Sequence, residues 1–159
     1  MSVAGTTTDV THRLFQARLL CARTGARLSD QRLRTLELVL QAAGPVKAYD
    51  LAKRFHSHGQ ASPITVYRAL KFWEGLGLVR RIETLNAFVA CAPGAATANA
   101  AFLVCGACGD SAEIPLAVPA DLAVAAAGLG FEIERLTFEA GGRCRRCARR
   151  ITVVNEVEA

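Results

Sequence analysis

Residues 62–91 read SPITVYRALKFWEGLGLVRRIETLNAFVAC, and this stretch decides the fold of the N-terminal half of the chain. Ser62 followed by Pro63 is typical of a helix start, because serine caps the free amides and proline is tolerated at the first helical position. Apolar residues at helical spacing form its buried stripe: Val66, Ala69, Leu70 and Trp73. Polar residues occupy another face: Thr65, Arg68 and Lys71. Gly75 and Gly77 end the helix.

Two short strands are predicted directly after this helix, over residues 78–83 and 87–91, with a turn at 84–86. Upstream, apolar spacing predicts three more helices: residues 10–24, a segment between Ser29 and Gly44, and residues 48–58. Helices that end in a polar-faced helix and lead into a basic hairpin describe a winged helix-turn-helix domain. In such a domain the last helix enters the major groove of DNA, and the hairpin contacts the phosphate backbone.

Two Cys-x-x-Cys pairs lie further on, Cys105 with Cys108 and Cys144 with Cys147. Four thiolates in two chelating pairs predict a closed tetrahedral zinc site, which has no open position for a substrate water and is therefore structural. The alternatives are redox thiols and a disulfide framework. The sequence shows no export signal and no apolar run long enough to span a membrane, so we expect a cytoplasmic protein, in which disulfides rarely persist. Redox Cys-x-x-Cys motifs normally occur singly.

The region around these cysteines predicts a small α+β module that begins after a hinge at residues 92–100. Its predicted elements are strands at 101–104, 112–114, 131–139 and 151–155, and a helix at 120–129. The fold class is therefore α+β, with a winged-helix DNA-binding domain at 1–91 and an α/β dimerisation and metal-binding domain at 92–159. Because the core of the second domain is small, we expect zinc and dimerisation to stabilise it.

Charge is unevenly distributed along the 159 residues, although the formal net charge is only +5. Residues 1–83 contain 13 Lys and Arg against 6 Asp and Glu, whereas residues 84–159 contain 6 against 8. A basic N-terminal half suits a module that binds a polyanion, because phosphate contacts dominate the affinity. A solvated, arginine-rich surface gives the same composition, so charge alone leaves both interpretations open.

The chain resembles the ferric uptake regulator family, and its zinc uptake regulator branch most closely, over roughly residues 12–154. The matching segments are RLSDQR at 27–32, AYDL at 48–51, TVYRAL at 65–70, GLV at 77–79 and both cysteine pairs. The resemblance implies a homodimeric, metal-dependent transcriptional repressor that binds palindromic operators in double-stranded DNA. It implies no enzymatic activity, no small-molecule substrate and no membrane partner.

The resemblance also implies DNA contacts. Tyr67 and Arg68 match the family's DNA-contacting pair, Thr65 belongs to the same segment, and Tyr49 and Arg27 match positions near the backbone. Arginine can donate two hydrogen bonds to guanine O6 and N7, while tyrosine offers a hydroxyl to phosphate and a ring to a thymine methyl. A partly buried aromatic remains an alternative for Tyr67, whereas an unpaired arginine is almost never buried.

A second, metal-sensing site is expected near the hinge from the same resemblance, built from histidines, a cysteine and a glutamate. Cys91 matches the cysteine and Glu113 matches the glutamate, but Arg80 and Asn99 fall where the histidines are expected. Arginine has no lone pair to donate, and asparagine is a poor zinc ligand. The histidines of this chain are His12, His56 and His58.

Three interpretations of this gap stay open. A different sensor site could combine Cys91 and Glu113 with His56 or His58, although histidines at a helix C-terminus are also explained by the helix dipole. A regulator uncoupled from zinc could pair Arg80 with Glu113 or Glu83, because a guanidinium supplies positive charge where a metal otherwise does. A redox or other-metal sensor could use Cys91, although lone cysteines are usually inert. From other classes, a thiol-redox enzyme and a zinc reservoir or partner-binding protein remain alternatives.

Overall fold

The computed structural model describes residues 7–55, 61–91 and 99–149. These residues form two compact units, an N-terminal unit within 7–91 and a C-terminal unit within 99–149. The predicted domain boundary after residue 91 borders residues 92–98, which lie outside the described ranges, and it stays a prediction.

The N-terminal unit contains four helices followed by a hairpin. Its elements are α1 (Thr7–Thr24), α2 (Asp30–Leu40), α3 (Ala48–Lys53), α4 (Pro63–Gly75), β1 (Val79–Ile82) and β2 (Ala87–Ala90). Serine side chains cap two of the helices: Ser29 accepts a hydrogen bond from the Arg32 amide, and Ser62 accepts one from the Thr65 amide. The predicted winged-helix order of elements is confirmed.

The core of this unit lies between the helices and the hairpin. Its fully buried large side chains include Trp73, Leu36, Leu38, Leu51, Leu70 and Val66. The Trp73 indole donates to the backbone carbonyl of Arg32 at 2.7 Å, so burial leaves its polar atom satisfied. The predicted buried stripe of α4 is thereby confirmed.

The hairpin pairs β1 with β2 in antiparallel register, from Val79 opposite Ala90 to Ile82 opposite Ala87. Asn86 in the turn has a positive φ of 47°, which asparagine tolerates better than most residues. Val46 also exchanges backbone hydrogen bonds with Phe88 at 2.8 and 2.9 Å. The segment before α3 therefore ties the hairpin to the helices.

The described part of the C-terminal unit contains a three-stranded sheet, one nine-residue helix and a helical segment at 145–149. Its elements are β3 (Ala100–Cys105), β4 (Ser111–Pro115), α5 (Ala120–Gly128) and β5 (Thr137–Gly142), in the sheet order β4-β3-β5. Strand β3 is antiparallel to β4 and parallel to β5. A parallel pair needs a crossover connection, and the segment with α5 provides it.

Three details differ from the sequence-based expectations. Helix α3 ends at Lys53 rather than continuing to residue 58. The strand predicted at 131–139 is wrong for residues 131–136, which have no regular structure; β5 instead includes Gly141 and Gly142, predicted as a turn. Pairing with β3 overrides the low strand preference of glycine. Residues 145–149 are helical, which was not predicted, and the strand predicted at 151–155 lies outside the described residues.

Candidate metal centre and nucleic-acid interface

Sheet topology brings the two cysteine pairs to one place. Strands β3 and β5 run parallel, and their last residues, Cys105 and Gly142, are register partners. The chain after Cys105 turns back through Gly109, whose φ is 70° and whose amide donates to the Cys105 carbonyl at 2.9 Å. After Gly142 the chain reaches Cys144, which directly precedes the helical segment at 145–149. Each pair therefore starts where one of two neighbouring strands ends.

The four sulfur atoms form a compact cluster. One ligand atom from each of Cys105, Cys108, Cys144 and Cys147 lies within 4.8 Å of every other, and the sulfurs of Cys108 and Cys144 are 3.7 Å apart. A tetrahedral zinc ion with Zn–S bonds of 2.3 Å requires sulfur atoms about 3.8 Å apart. The donor set and the spacing therefore fit zinc closely. Among the residues that the structure describes, this is the only cluster of three or more potential ligands of this kind.

Hydrogen bonds at the cluster favour thiolate on the first pair. The backbone amide of Cys144 donates to the Cys105 sulfur at 3.3 Å and is the largest cause that lowers the pKa of Cys105 to about 6. A backbone hydrogen bond at Asp110 is the largest cause that lowers the pKa of Cys108. Hydrogen bonding with Cys108 is the largest cause that raises the pKa of Cys147 to about 12. Because zinc needs all four groups as thiolates, its binding releases protons.

A positively charged side chain contacts one of these sulfurs. The guanidinium of Arg146 donates to the Cys108 sulfur at 3.8 Å, and this hydrogen bond is the largest cause that raises the pKa of Arg146. Exposed arginines recur through the segment, at 143, 145, 146 and 149. Four thiolates around one divalent cation leave a negative net charge, which these side chains offset.

Helix α4 presents a polar face opposite its buried stripe. Tyr67, Arg68 and Lys71 are exposed, whereas Thr65 is half-buried, with its hydroxyl 3.1 Å from that of Ser62. One open pocket of about 350 Å³ is lined by Arg27, Thr65 and Arg68, together with Ser29, Gln31, Arg32 and Ala69. The structure thus brings together three of the five residues predicted to contact DNA.

Tyr67 faces the hairpin. Its ring meets the ring of Phe88 edge-on, with centroids 6.1 Å apart, yet 43% of its surface remains exposed. Tyr67 is therefore a partly buried aromatic residue through one edge of its ring, while the rest of its side chain is available to a ligand. Tyr49, the fifth predicted residue, is exposed on α3, and the Lys53 ammonium lies 4.4 Å from its ring centroid.

The residues of the predicted sensor site are distributed over both units. Cys91 is buried at the end of the hairpin, where its carbonyl accepts a hydrogen bond from Arg13, and Arg80 is only 6% exposed on β1. Glu113 is half-buried on β4, opposite Phe102. Because these residues belong to separate units, a site shared by them stays a prediction.

Asn99 has a structural role, since its side-chain oxygen accepts a hydrogen bond from the Leu136 amide at 2.8 Å. Of the histidines, His12 is exposed on α1, while His56 and His58 lie outside the described residues. Two residues near the polar face of α4 were not singled out from sequence: Arg32 and Ile64. Ile64 could have been found, because it lies one helical turn before Arg68 and outside the buried stripe.

No described helix is both long and apolar enough to cross a membrane.

The four helices, the hairpin and the four-cysteine cluster define a metal-binding winged-helix protein. The chain belongs to the ferric uptake regulator family, whose model matches residues 23–140. It is 36% identical over 140 residues to the zinc uptake regulation protein of Escherichia coli strain K12, covering 84% of this chain and 80% of that protein.

Two solved structures are similar to most of the chain. A zinc uptake regulator complexed with zinc and DNA has a TM-score of 0.81 and 34% identity, covering 93% of this chain and 99% of that one. Holo XcZur has a TM-score of 0.69 and 34% identity, covering 87% and 98%.

Proposed function

We propose that this protein is a zinc-dependent, DNA-binding transcriptional repressor of the zinc uptake regulator type that acts as a homodimer in the cytoplasm. Residues 1–91 form its DNA-binding domain, and residues 92–159 its dimerisation and metal-binding domain. The observation that carries the proposal is the exposed polar face of α4, in a chain similar over most of its length to a zinc uptake regulator complexed with zinc and DNA.

In this function α4 enters the major groove. Arg68 reads guanine through two donors, and Tyr67 places its hydroxyl on a phosphate and its ring near the bases. Thr65 and Arg27 share a concave surface with Arg68, which suits them to hold the adjacent backbone. Tyr49 extends these backbone contacts from α3.

Zinc held by Cys105, Cys108, Cys144 and Cys147 has a structural role. It joins the ends of β3 and β5, so its binding energy is folding energy for the C-terminal unit. All four ligand positions are filled by protein, so the site supports no hydrolytic chemistry.

The C-terminal unit is suited to bind a second copy of the chain, because large apolar side chains remain exposed on it. These residues are Leu103, Ile114, Leu122, Val124, Leu129, Phe131 and Phe138. Covering them in a two-fold dimer would pair two α4 helices, and a palindromic operator requires two such helices about 34 Å apart. The dimer therefore links metal-stabilised folding to operator recognition.

A second candidate function is a repressor whose DNA binding is not switched by a second zinc ion. The observation that favours it is Arg80, a nearly buried cation on β1, at the position where the family resemblance implies a histidine ligand. Cys91 and Glu113, which match the family's sensor cysteine and glutamate, are then the remnants of a sensor site. The measurement is zinc per chain together with DNA affinity, with and without a chelator. Two ions and chelator-sensitive binding support a zinc-switched repressor, whereas one ion and chelator-insensitive binding support the uncoupled form.

Arg68→Ala tests the proposed interface. We expect it to weaken binding to a duplex selected by the wild-type protein by about 1–3 kcal/mol and to relax base preference at one position. Arg18→Ala is the matched control, because Arg18 is an exposed arginine on α1. Equal losses in the two variants, or wild-type affinity that does not fall as salt rises, would contradict DNA recognition by α4.

A further inference from the structure

We propose that Ile64 is a specificity-determining residue that reads the methyl group of one thymine in each operator half-site. This inference rests on the proposed function, because it takes α4 as the recognition helix. Ile64 is 64% exposed, more than any other large apolar side chain described in the N-terminal unit.

The position of Ile64 in α4 places it where base contacts are made. It is the second residue of the helix, directly after Pro63. Recognition helices contact base edges mainly with their N-terminal residues. Ile64, Arg68 and Lys71 are spaced by four and seven residues, so they lie along one side of the helix, while Val66 and Leu70 face the core.

The surface around Ile64 combines apolar and positively charged side chains, which suits a thymine flanked by phosphates. One concave surface between α4 and the hairpin is lined by Ile64, Tyr67, Arg68, Lys71, Glu74, Arg81 and Phe88. Three of these side chains are cations, which suit the phosphate backbone, and one is an acid at the C-terminal end of the helix. Arg81 is held within the hairpin by Asn86 at 3.0 Å and Glu83 at 3.2 Å. Arg68 and Lys71 have no such contact described, and both are exposed.

Isoleucine can neither donate nor accept a hydrogen bond, so it cannot read the polar edges of bases. The thymine C5-methyl is the apolar group that the major groove presents, and apolar side chains contact it. Folding does not account for Ile64, because its side chain is mostly in water and a β-branched residue has a lower helix propensity than alanine. Ile64→Ala should therefore leave the thermal midpoint of the protein unchanged or slightly raised.

The test removes the C5-methyl group of one thymine at a time from the DNA. A duplex is first selected from random sequences by the wild-type dimer, and each thymine is then replaced by deoxyuridine, which removes only the C5-methyl. We expect wild-type affinity to fall about three- to tenfold at one thymine per half-site, the size of one buried methyl contact. Ile64→Ala should bind the unmodified duplex more weakly by a similar factor and be insensitive to that deoxyuridine. Ile64→Val, which keeps a branched side chain, should retain part of the discrimination.

Leu19→Ala is the matched control, since Leu19 is an exposed apolar residue on α1 of the same unit. It should respond to every deoxyuridine as the wild-type protein does. If Ile64→Ala and the wild-type protein lose affinity equally at every thymine, Ile64 does not read a methyl group, while the repressor function stands. If the wild-type protein selects no sequence at all, the repressor function fails and this inference fails with it.

Discussion

The two units of this protein are stabilised in different ways. Among the residues that the structure describes, nine of the ten largest fully buried side chains lie in the N-terminal unit, including Trp73 and Leu36, while Phe102 is the one in the C-terminal unit. The C-terminal unit instead gathers four sulfurs at one end of its sheet and leaves large apolar side chains such as Leu129, 85% exposed, at its surface. The first unit is stabilised by its own core, whereas the second has a small core and a four-cysteine cluster that suits a stabilising metal.

The helices show the same difference. In the N-terminal unit, α2 and α4 begin at serines whose side chains cap the first turn. In the C-terminal unit, α5 begins after Pro119 with no side-chain cap, and Ala126 is its one buried residue. A nine-residue helix of this kind is marginal in water by itself. The proposed homodimer would supply a surface that covers it.

Of these variants, Cys105→Ser should change the protein most, and the change should fall on the C-terminal unit and the dimer. Loss of one ligand removes zinc-derived folding energy, so we expect the C-terminal unit to unfold and the dimer to dissociate. The N-terminal unit should stay folded. Trp73, the only tryptophan of the chain, lies in that unit, so its fluorescence reports on the N-terminal unit by itself. Zinc content, sedimentation and tryptophan emission are the measurements.

Cys21→Ala is the control for Cys105→Ser, because Cys21 is a cysteine buried in the N-terminal core. It should keep one structural zinc per chain and remain a dimer. A Cys105→Ser protein that sediments as a dimer without zinc would show that the second unit does not depend on its metal.

Sequence reasoning found most of this architecture because its signals are local. The serine and proline at 62 and 63, the apolar stripe of α4 and the spacing within each cysteine pair are all properties of a few neighbouring residues. The position of β5 could not be found in this way. Gly141 and Gly142 become strand only because β3 pairs with them, a contact between distant parts of the chain.

Leu36→Ala should destabilise the N-terminal unit. Leu36 is 2% exposed in α2, and removing its side chain leaves a cavity that costs about 2–5 kcal/mol of unfolding free energy. Urea unfolding followed by Trp73 fluorescence measures this loss. Leu19→Ala, at an exposed position of α1, should cost much less, and zinc content should be normal in both variants. If Leu36→Ala also released zinc, the two units would not be independently stabilised.

Ser62→Ala should give a smaller loss in the same unit. The Ser62 hydroxyl accepts a hydrogen bond from the Thr65 amide at 3.3 Å, and losing an N-cap costs about 1 kcal/mol. Ser62→Asp supplies another capping oxygen and should restore most of the stability. Urea unfolding again provides the measurement. Equal stability of the alanine and aspartate variants would mean that Pro63 and tertiary packing alone determine where α4 begins.

Arg146→Gln should have the smallest effect, which is on how firmly the C-terminal unit retains zinc. The Arg146 guanidinium contacts the exposed Cys108 sulfur and lies near a cluster that is negatively charged when zinc is bound. Removing one exposed positive charge should speed zinc transfer to a competing chelator by about two- to fivefold, and added salt should reduce the difference. Arg145→Gln is the matched control, because Arg145 is the adjacent exposed arginine and no contact with a sulfur is described for it. Equal acceleration in both variants would mean that overall charge, rather than the hydrogen bond to Cys108, retains the metal.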